Sequence, residues 1–325
     1  MAAGAGGGVA SNHAWQVTMA PAPAASSLRV LYVNHVGVLG GAERSLLGLL
    51  EAVDRRQIEP HLAAPDDGAL ADAARRAGVP VHALPPCRLH RPQNPWDFVA
   101  AFRTFGRFRR ALRRACRAVE PDLIHANSLV SAWAAIRVGR APVVWHCRDL
   151  RAPAHFVRAV RRRATRVIAI SQAVASYIAA TAPQGAPIAA IANGFSPQEL
   201  HVTRRRSQVR GDWEMGAETP LIGCMGQLVP WKRQDVLLRA MPLVLEHVPQ
   251  ARVVFLGSDT FDEHPEYVAA LHELADAPPL RGHVVWAGFV DQPAEALAAL
   301  DVLAHPADRE PFGRVVLEAL ALGVP

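Results

Sequence analysis

"LRVLYVNHVGVLGGAERSLLGLLEAV", residues 28–53, is the stretch that decides the fold. Its opening run, 28–34, is rich in β-branched and aliphatic side chains, which is typical of a buried strand. A glycine-containing turn follows, and apolar residues then recur at helical spacing through 43–53. The same order returns along the chain, and we predict another helix at 233–248 and further strands at 122–126, 142–146, 166–170, 221–226, 251–257, 283–288 and 301–306. Apolar strands separated by helices predict an α/β fold with parallel sheets.

The alternation of strands and helices breaks once, at residues 196–219, which are polar and lack an apolar period. Such a segment is typical of a junction between domains. We therefore predict a disordered N-terminal segment (1–27), a first Rossmann-like domain (28–200), a linker (201–219) and a second Rossmann-like domain (220–325). In such a pair, ligands bind at the carboxyl ends of the strands, in the cleft between the domains.

Composition narrows the class of protein. The chain has 325 residues, of which 50% are hydrophobic, so it is long enough for two cores. Its four cysteines include no C-x-x-C pair, which argues against a disulfide framework or a thiolate metal site and favours a reducing cytoplasm. The first 27 residues lack the basic start of a signal peptide, and no apolar run reaches the roughly 18 residues of a membrane span.

Charge is distributed unevenly along the chain. Residues 1–200 contain 24 Lys and Arg against 12 Asp and Glu, whereas residues 201–325 contain 11 against 17. This asymmetry predicts that the first half meets an anionic partner. Nucleic acid is the weaker candidate, because no known nucleic-acid-binding motif accompanies the basic residues.

Much of the positive charge lies in residues 98–119, with a second cluster at 158–166. In the first segment four apolar residues recur at helical spacing among arginines: Phe102, Phe105, Phe108 and Leu112. The pattern predicts a basic amphipathic helix that lies on an anionic membrane surface. The alternative is a helix that packs its phenylalanines into the core and leaves its arginines in water.

A carboxylate interrupts the apolar end of the chain, "DREPFGRVVLEALALGVP" at 308–325. Pro311 keeps Glu310 out of the helix, which we expect from Arg314 to Leu322 and buried on most sides. Glu318 must then be paired, protonated or directed into a cavity with a polar ligand, because an unpaired buried ion costs several kcal/mol. The alternative places Glu318 at a solvent-exposed edge. The N–H groups at the start of this helix, residues 313–316, suit a phosphate.

Two further glycine-containing turns suit an anion. In "LIGCMGQLVPWKRQDVLLRA" (221–240) a strand ends at Gly226, and Lys232, the only lysine of the chain, precedes the next helix. The alternative is a solvated loop charge. Gly40 and Gly41 lie between the first strand and the first helix, without the G-x-G-x-x-G spacing of a dinucleotide site. A plain connection between strand and helix remains the alternative there.

Five segments together resemble the retaining glycosyltransferases of family 4, which have the GT-B fold: GGAER (40–44), RVIAISQAV (166–174), IANGF (191–195), GQLVPWKRQDVLLRA (226–240) and EPFGRVVLEALALGVP (310–325). The resemblance extends from about residue 28 onward. It implies two Rossmann-like domains that face each other across a cleft and transfer a sugar from a nucleotide-sugar donor. The family continues beyond the Gly-x-Pro at 323–325, so we expect an incomplete second domain with about four strands.

The resemblance also implies roles for individual positions. Glu310 contacts hydroxyls of the donor sugar, Glu318 holds the nucleotide ribose, and Lys232 neutralises the departing diphosphate. Backbone groups of Phe312, Gly313, Arg314 and Val315 meet the sugar and the diphosphate. Gly40 and Gly41 close the other side of the cleft.

The chain departs from the family pattern at two places that concern the site. Gln227 follows Gly226 where the family often has arginine, so a phosphate-binding cation is missing unless Arg233 substitutes. In "PVVWHCRDL" (142–150) both His146 and Arg148 precede Asp149, where relatives have one histidine before an aspartate. Either side chain could face the sugar, and we favour His146.

The implied chemistry uses no metal and no cofactor, because the lysine and the helix N–H groups stabilise the leaving diphosphate. The expected acceptor is a sugar, a lipid-linked or another anionic molecule, as in cell-envelope, exopolysaccharide or glycolipid synthesis at the inner face of the membrane. A glycosidase with Glu310 and Glu318 as its carboxylates is disfavoured beside a phosphate-binding turn. Two alternatives stay open: a nucleotide-sugar epimerase and an inactive nucleotide-sugar-binding protein.

Overall fold

Two parallel β-sheets organise the molecule in the computed structural model, which describes residues 27–88, 94–194, 200–260 and 262–325. The first sheet contains β1 Leu28–Val33, β2 Ile58–Ala64, β3 Val81–Ala83, β4 Leu123–Ala126, β5 Val143–Cys147, β6 Arg166–Ala169 and β7 Ile188–Ala190. The second contains β8 Leu221–Met225, β9 Arg252–Leu256, β10 Val284–Gly288 and β11 Val302–Leu303. The strand orders are β3-β2-β1-β4-β5-β6-β7 and β10-β9-β8-β11. Both sheets are Rossmann-like, and the predicted α/β class is confirmed.

Helices connect the strands of both sheets. Those of the first half are α1 Gly41–Ala52, α2 Ala69–Arg76, α3 Pro95–Val119, α4 Leu129–Ala135, α5 Ala154–Arg163 and α6 Gln172–Thr181. Those of the second half are α7 Arg206–Asp212, α8 Gln234–His247, α9 Pro265–Asp276, α10 Pro293–Ala298 and α11 Arg314–Ala321. Side-chain N-caps fix several starts: Asn94 accepts from the N–H groups of Trp96 and Asp97, and Ser171 accepts from Val174 N.

Each sheet is covered on both faces, as the unbroken apolar strands predict. Val30 and Tyr32 of β1 face a cluster with α1 and α2, while Leu31 and Val33 face a larger cluster on the opposite side. In β9, Val253 and Phe255 pack with α8 and α9, and Val254 and Leu256 pack with α10 and α11. Alternate residues of a strand therefore pack against the helices on opposite faces of the sheet, which is the period-2 geometry of a strand.

All eight predicted strands are present, but three others were missed. The β2 sequence IEPHLAA contains Pro60, a residue that argues against an internal strand, although β2 pairs with β1 and β3. The other two, β3 and β7, have three residues each, which is too short for a readable period. Short strands that depend on their neighbours for pairing leave little trace in the sequence.

The segment predicted as a linker contains a helix. Within 201–219, α7 buries Val209 and Arg210 and packs against α10 of the second half. Arg210 is 1% exposed because its guanidinium pairs with Asp301 Oδ2 at 2.7 Å and donates to Ala299 O at 2.9 Å. Nearly all of the N-terminal segment predicted to be disordered, residues 1–26, lies outside the described residues.

One prediction about helix burial is wrong, and for a second helix each of the two alternatives holds in part. Leu320 on α11 is 61% exposed, because α10 and the second sheet cover only one side of that helix. On α3 the predicted apolar stripe divides: Phe108 and Leu112 are fully buried against the first sheet, whereas Phe102 is 80% exposed. In the described part of the chain, no helix combines the length and apolarity needed to cross a bilayer.

Candidate functional site

The candidate site lies between the two sheets, where α1 of the first half faces α10 and α11 of the second. A pocket of ≈ 200 Å³ opens there. Its lining from α1 includes Arg44 and Glu51, and its lining from α11 includes Arg314 and Glu318. Two of the predicted donor-binding residues therefore line a cleft shared by both halves, as expected for paired parallel sheets.

Lys232 and Glu310 form an ion pair next to the start of α11. Lys232 ends a short 3-10 turn, Pro230–Lys232, after β8, and its Nζ lies 2.5 Å from Glu310 Oε2. His305 Nε2 lies 3.0 Å from the same oxygen, and Glu310 Oε1 accepts from Gly313 N at 3.1 Å. The lysine and the first glutamate, 78 positions apart, are thus in direct contact.

Glu310 is held ionised by its partners. Partial burial opposes ionisation, but His305 and Lys232 outweigh it and lower the pKa of Glu310 to about 2. The carboxylate therefore stays negative at neutral pH and can only accept hydrogen bonds. Such a group suits the hydroxyls of a sugar.

A close approach of two glycines shapes the loop before Lys232. Gly226 has φ +148°, and a Cβ on it would lie 3.6 Å from Lys232 Cε. Gly257 also has φ +148°, and its Cβ would lie 2.1 Å from Gly226 O, so a side chain there is excluded. The next residue, Gln227, accepts a hydrogen bond on its backbone oxygen from Gln234 Nε2 at 2.8 Å.

Arg233, the predicted substitute for a missing phosphate-binding arginine, follows Lys232 directly. Its Nε lies 3.2 Å from Asp235 Oδ1, and it caps α8 in the left-handed region with φ 54°. The contact with Asp235 raises the pKa of Arg233. This guanidinium is therefore shared with a neighbouring carboxylate.

Glu318 is buried and paired. It lies on α11 with 8% of its surface exposed, and its Oε1 accepts from Arg314 Nε at 2.5 Å, one helical turn earlier. Of the alternatives that the sequence left open, the structure supports two at once, since Glu318 is both paired and part of the cleft lining. The solvent-edge alternative is excluded.

The start of α11 is set by Gly313, which has φ 77° and ψ 48°. This left-handed conformation favours glycine. Gly313 O accepts from Val316 N at 2.9 Å, while Gly313 N donates to Glu310. The first turn of α11 includes Val315, whose side chain packs into the cluster that this helix shares with α10.

Phe312 and Pro311 tie this loop to the first half. The Phe312 side chain packs against the core cluster of the first sheet, and Pro311 O accepts from Ser171 Oγ at 2.6 Å. Ser171 also caps α6. The sequence suggested only backbone roles for Phe312, so this side-chain contact was missed.

The glycine turn of the first half lies at the start of α1. Gly40 is its N-cap and Gly41 its first residue. A Cβ at Gly40 would lie 3.0 Å from Glu43 Oε2, whereas a Cβ at Gly41 would meet nothing within 4 Å. A side chain at position 40 would therefore crowd the carboxylate of the buried Glu43, which would have to shift by a few tenths of an ångström.

His146 and Arg148 differ in their surroundings, and Asp149 beside them is exposed. Arg148 is buried, and it donates through Nε to Asn127 Oδ1 at 2.8 Å and through Nη1 to Asn193 Oδ1 at 2.9 Å. His146 is also buried, and its Nε2 has no hydrogen-bond partner within the described residues. Of the two, His146 has the spare polar atom.

A buried polar network behind these residues was not predicted. Asn127 Nδ2 donates to Asn34 Oδ1 at 3.1 Å, and Asn34 Nδ2 donates to Glu43 Oε1 at 3.2 Å. Burial raises the pKa of Glu43, with the bond from Asn34 opposing. Asn34 and Asn127 each follow the carboxyl end of a strand, as the predicted Arg148 does, so the rule that ligands meet this edge could have identified them.

Two family models match the chain. Residues 39–199 match Glycosyltransferase Family 4, and residues 206–325 match Glycosyl transferases group 1. The two matches meet between the sheets and together contain the predicted site residues.

Relatives of known activity agree with these matches. A GDP-mannose-dependent alpha-mannosyltransferase of Mycobacterium tuberculosis is 28% identical over 308 residues, which cover 88% of this chain and 74% of the relative. A GDP-mannose-dependent alpha-(1-6)-phosphatidylinositol monomannoside mannosyltransferase of Mycolicibacterium smegmatis is 34% identical over 131 residues, which cover 37% of this chain and 32% of the relative.

Solved structures share the arrangement of both sheets. HepE of Anabaena, crystallised with UDP-glucose, superposes with a TM-score of 0.73 at 25% identity over 92% of this chain and 79% of HepE. Sucrose-phosphate synthase of Thermosynechococcus elongatus, at 18% identity and a TM-score of 0.71 over 92% and 80%, supports the fold alone. The fold and the site define a glycosyltransferase-type protein of the GT-B class. Within that class, the match of residues 39–199 to Glycosyltransferase Family 4 and of residues 206–325 to Glycosyl transferases group 1 supports a family 4-like protein.

Proposed function

We propose that this protein moves a sugar from a nucleoside diphosphate donor to an acceptor with retention of the anomeric configuration. The observation that carries the proposal is the contact between Lys232 and Glu310 beside the start of α11. A cation, a carboxylate that stays ionised at neutral pH and the N–H donors of a helix start thus lie at one edge of the second sheet. These groups match a diphosphate and the hydroxyls of its sugar.

Lys232 is proposed to stabilise the leaving diphosphate. An ammonium has three donors, so Lys232 can keep its bond to Glu310 while it binds a phosphate oxygen. The N–H groups of Arg314 and Val315 would share the charge, with Gly226 and Gln227 close to the phosphates and Arg233 as a second cation. Glu318 would bind the ribose and Glu310 the donor sugar.

The proposed transfer proceeds on one face of the sugar. The bond from the anomeric carbon to the diphosphate oxygen breaks, the bond to the acceptor oxygen forms on the same face, and the acceptor proton moves to the leaving phosphate oxygen. His146, with its spare Nε2, would bind a hydroxyl of the donor sugar, and Gly40 and Gly41 would close the opposite wall. We propose that Lys232 and the helix start replace a divalent ion, so excess chelator should leave the rate of transfer unchanged.

A thermal-shift screen followed by a transfer assay tests this function. Because a ligand that binds only the folded state stabilises it, the correct donor should raise the melting temperature. Both GDP-mannose and UDP-glucose belong in the screen, since the first is used by the relatives and the second lies in HepE crystals. Release of nucleoside diphosphate only with acceptor supports transfer; binding without turnover identifies an inactive binder, and isomerised donor without acceptor identifies an epimerase.

For the acceptor side we propose contact with an anionic membrane surface at the cytoplasmic face. The first turns of α3 expose Trp96, Phe98, Val99 and Phe102. The following turns expose arginines without an intervening acidic residue: Arg103, Arg107, Arg110, Arg113, Arg114 and Arg117. Aromatic residues at one end of a helix and arginines along the rest match the acyl boundary and the headgroups of an anionic leaflet. A lipid-linked or other anionic acceptor would be recruited to the same surface.

The second basic cluster extends this surface only in part. Arg161 of α5 is buried, because it donates to the backbone oxygens of Ala182 and Ala186. Arg137, whose pKa is lowered by partial burial and by the charges of Arg163 and Arg109, lies near the end of α5 and the middle of α3. The proposed membrane surface therefore consists of α3 and the adjoining Arg137 and Arg163.

A further inference from the structure

Two histidines and an arginine meet at the carboxyl ends of β4 and β5. His125 Nε2 lies 3.1 Å from His146 Nδ1, and the two rings are 5.2 Å apart at an interplanar angle of 68°. Arg148 Nη2 lies 3.4 Å from the same Nδ1 atom. All three side chains are buried. One ring nitrogen of His146 therefore faces two possible partners, while its other nitrogen, Nε2, has none within the described residues.

The chemistry of arginine decides the direction of these bonds. A guanidinium only donates, so Nδ1 of His146 must be the acceptor of the bond from Arg148. A neutral imidazole carries one proton, which must then lie on Nε2. Burial, with the charge of Arg148, lowers the pKa of His146 to about 2 and that of His125 to about 3, so both rings are neutral at pH 7. His125 must then donate from its Nε2 to the same acceptor.

Arg148 is itself fixed from behind. Its Nε and Nη1 bind Asn127 and Asn193, and Ser45 Oγ donates to the same Asn193 oxygen at 3.1 Å. Burial lowers the pKa of Arg148 only to about 10, with Glu43 opposing the shift, so it remains a cation at neutral pH. The hydrogen bonds to Nε and Nη1 therefore fix the guanidinium so that its third nitrogen, Nη2, faces His146.

We propose that Arg148 is a positioning residue that holds His146 as the Nε2–H tautomer, so that His146 presents a hydrogen-bond donor to the cleft. Without this cation, the histidine pair could reverse: His146 Nδ1 would donate to His125 Nε2, and Nε2 of His146 would become an acceptor. An unpaired buried N–H is unfavourable, which favours a ligand oxygen at that atom. The tautomer stands on the geometry alone; its use in holding the donor sugar rests on the proposed function.

Nitrogen-15 NMR of histidine-labelled protein tests the tautomer directly. Long-range proton–nitrogen correlations distinguish the two tautomers, and loss of one set of signals in His146→Gln assigns the residue. We expect His146 to carry its proton on Nε2 between pH 6 and 8, and His125→Phe to leave this unchanged. In Arg148→Met the proton should move toward Nδ1. A wild-type Nδ1–H tautomer, or a shift caused by His125→Phe, overturns the proposal even if Arg148→Met does not fold.

A second measurement addresses the consequence for binding. The thermal shift by a nucleotide sugar should exceed the shift by the matching nucleoside diphosphate in the wild-type protein. Arg148→Met should lose the additional shift that the sugar provides and keep the shift that the nucleoside diphosphate provides. His146→Gln retains a donor near the Nε2 position, so it should keep more of the additional shift from the sugar than His146→Ala. Equal loss for both ligands would give Arg148 a general structural role. No shift with any nucleotide would reject the proposed function and leave the NMR result standing.

Discussion

Lys232 illustrates how one residue acquires a defined role from its surroundings. Its ammonium lies against Gly226 and Glu310, at the edge of the second sheet where α11 begins. Only 21% of its side chain is exposed, so the surrounding solvent screens its charge less than that of a surface lysine. In the proposed reaction, a cation in this position would stabilise the developing negative charge more than it stabilises the bound, intact donor.

Replacing Lys232 by methionine should therefore reduce transfer more than donor binding. We expect kcat to fall by about 10²–10³-fold, in line with the loss of one donor that stabilises a developing charge. The dissociation constant of the donor, measured by calorimetry, should change far less. Arg239→Met on α8 removes an exposed cation outside the site and serves as control. Equal losses in binding and turnover would contradict the leaving-group role.

The ionisation of Glu310 should make the stability of the fold depend on pH. Because its folded pKa, about 2, lies below the ordinary 4.5, its ionisation stabilises the fold above pH 4.5, and this contribution disappears as the pH falls toward 2. The shift corresponds to roughly 3 kcal/mol of the free energy of unfolding. In urea titrations, the free energy of unfolding of wild type should exceed that of Glu310→Gln at pH 6, and the two values should converge near pH 2.5. If the free energies of unfolding of wild type and Glu310→Gln differed by the same amount at pH 6 and pH 2.5, the result would contradict the account.

Among the site residues, the sequence identified those whose type is unusual for their surroundings. A glutamate inside an apolar helix and the only lysine of the chain stood out; Glu318 lines the cleft and Lys232 pairs with Glu310. His305, Asn34 and Asn127 did not stand out, because a polar residue after a strand is common. Their importance depends on contacts with residues far away in the sequence, such as Asn127 with Arg148.

At the scale of elements, α3 divides into parts with different roles. Its inner face packs Phe108 and Leu112 on the first sheet, and its outer face carries exposed aromatic residues followed by arginines. The sequence predicted the helix and its charge but assigned Phe102 to the same stripe as Phe108. Periodicity gives the angle of a residue around the helix, but whether the sheet extends beneath that turn depends on the fold.

Flotation with vesicles tests the outer face of α3. The triple replacement of Arg110, Arg113 and Arg114 by serine should abolish flotation with anionic vesicles at low salt, because each arginine near the surface contributes about 1 kcal/mol. The exposed arginines of the second half, Arg205, Arg239 and Arg281, provide a matched triple with the same loss of charge. Phe102→Ser with Trp96→Ser should weaken binding that persists in high salt. Equal flotation of both arginine triples would reject the membrane surface.

The whole molecule joins two sheets through a small number of identified contacts. Ser171 bonds Pro311 O, and Phe312 packs into the first half, so the loop that carries Glu310 is attached to both halves. Arg148 and Arg314 approach each other across the cleft closely enough for their charges to interact. In the proposed complex, the negative charge of a diphosphate would offset this positive charge between the halves.

A crystal structure with the donor that gives the largest thermal shift tests most directly whether a nucleoside diphosphate sugar binds in this cleft. We predict the diphosphate against Lys232 and the first turn of α11, the ribose hydroxyls on Glu318, and a sugar oxygen within hydrogen-bond distance of His146 Nε2. A nucleotide bound elsewhere, with Glu318 still engaged only by Arg314, would contradict the account.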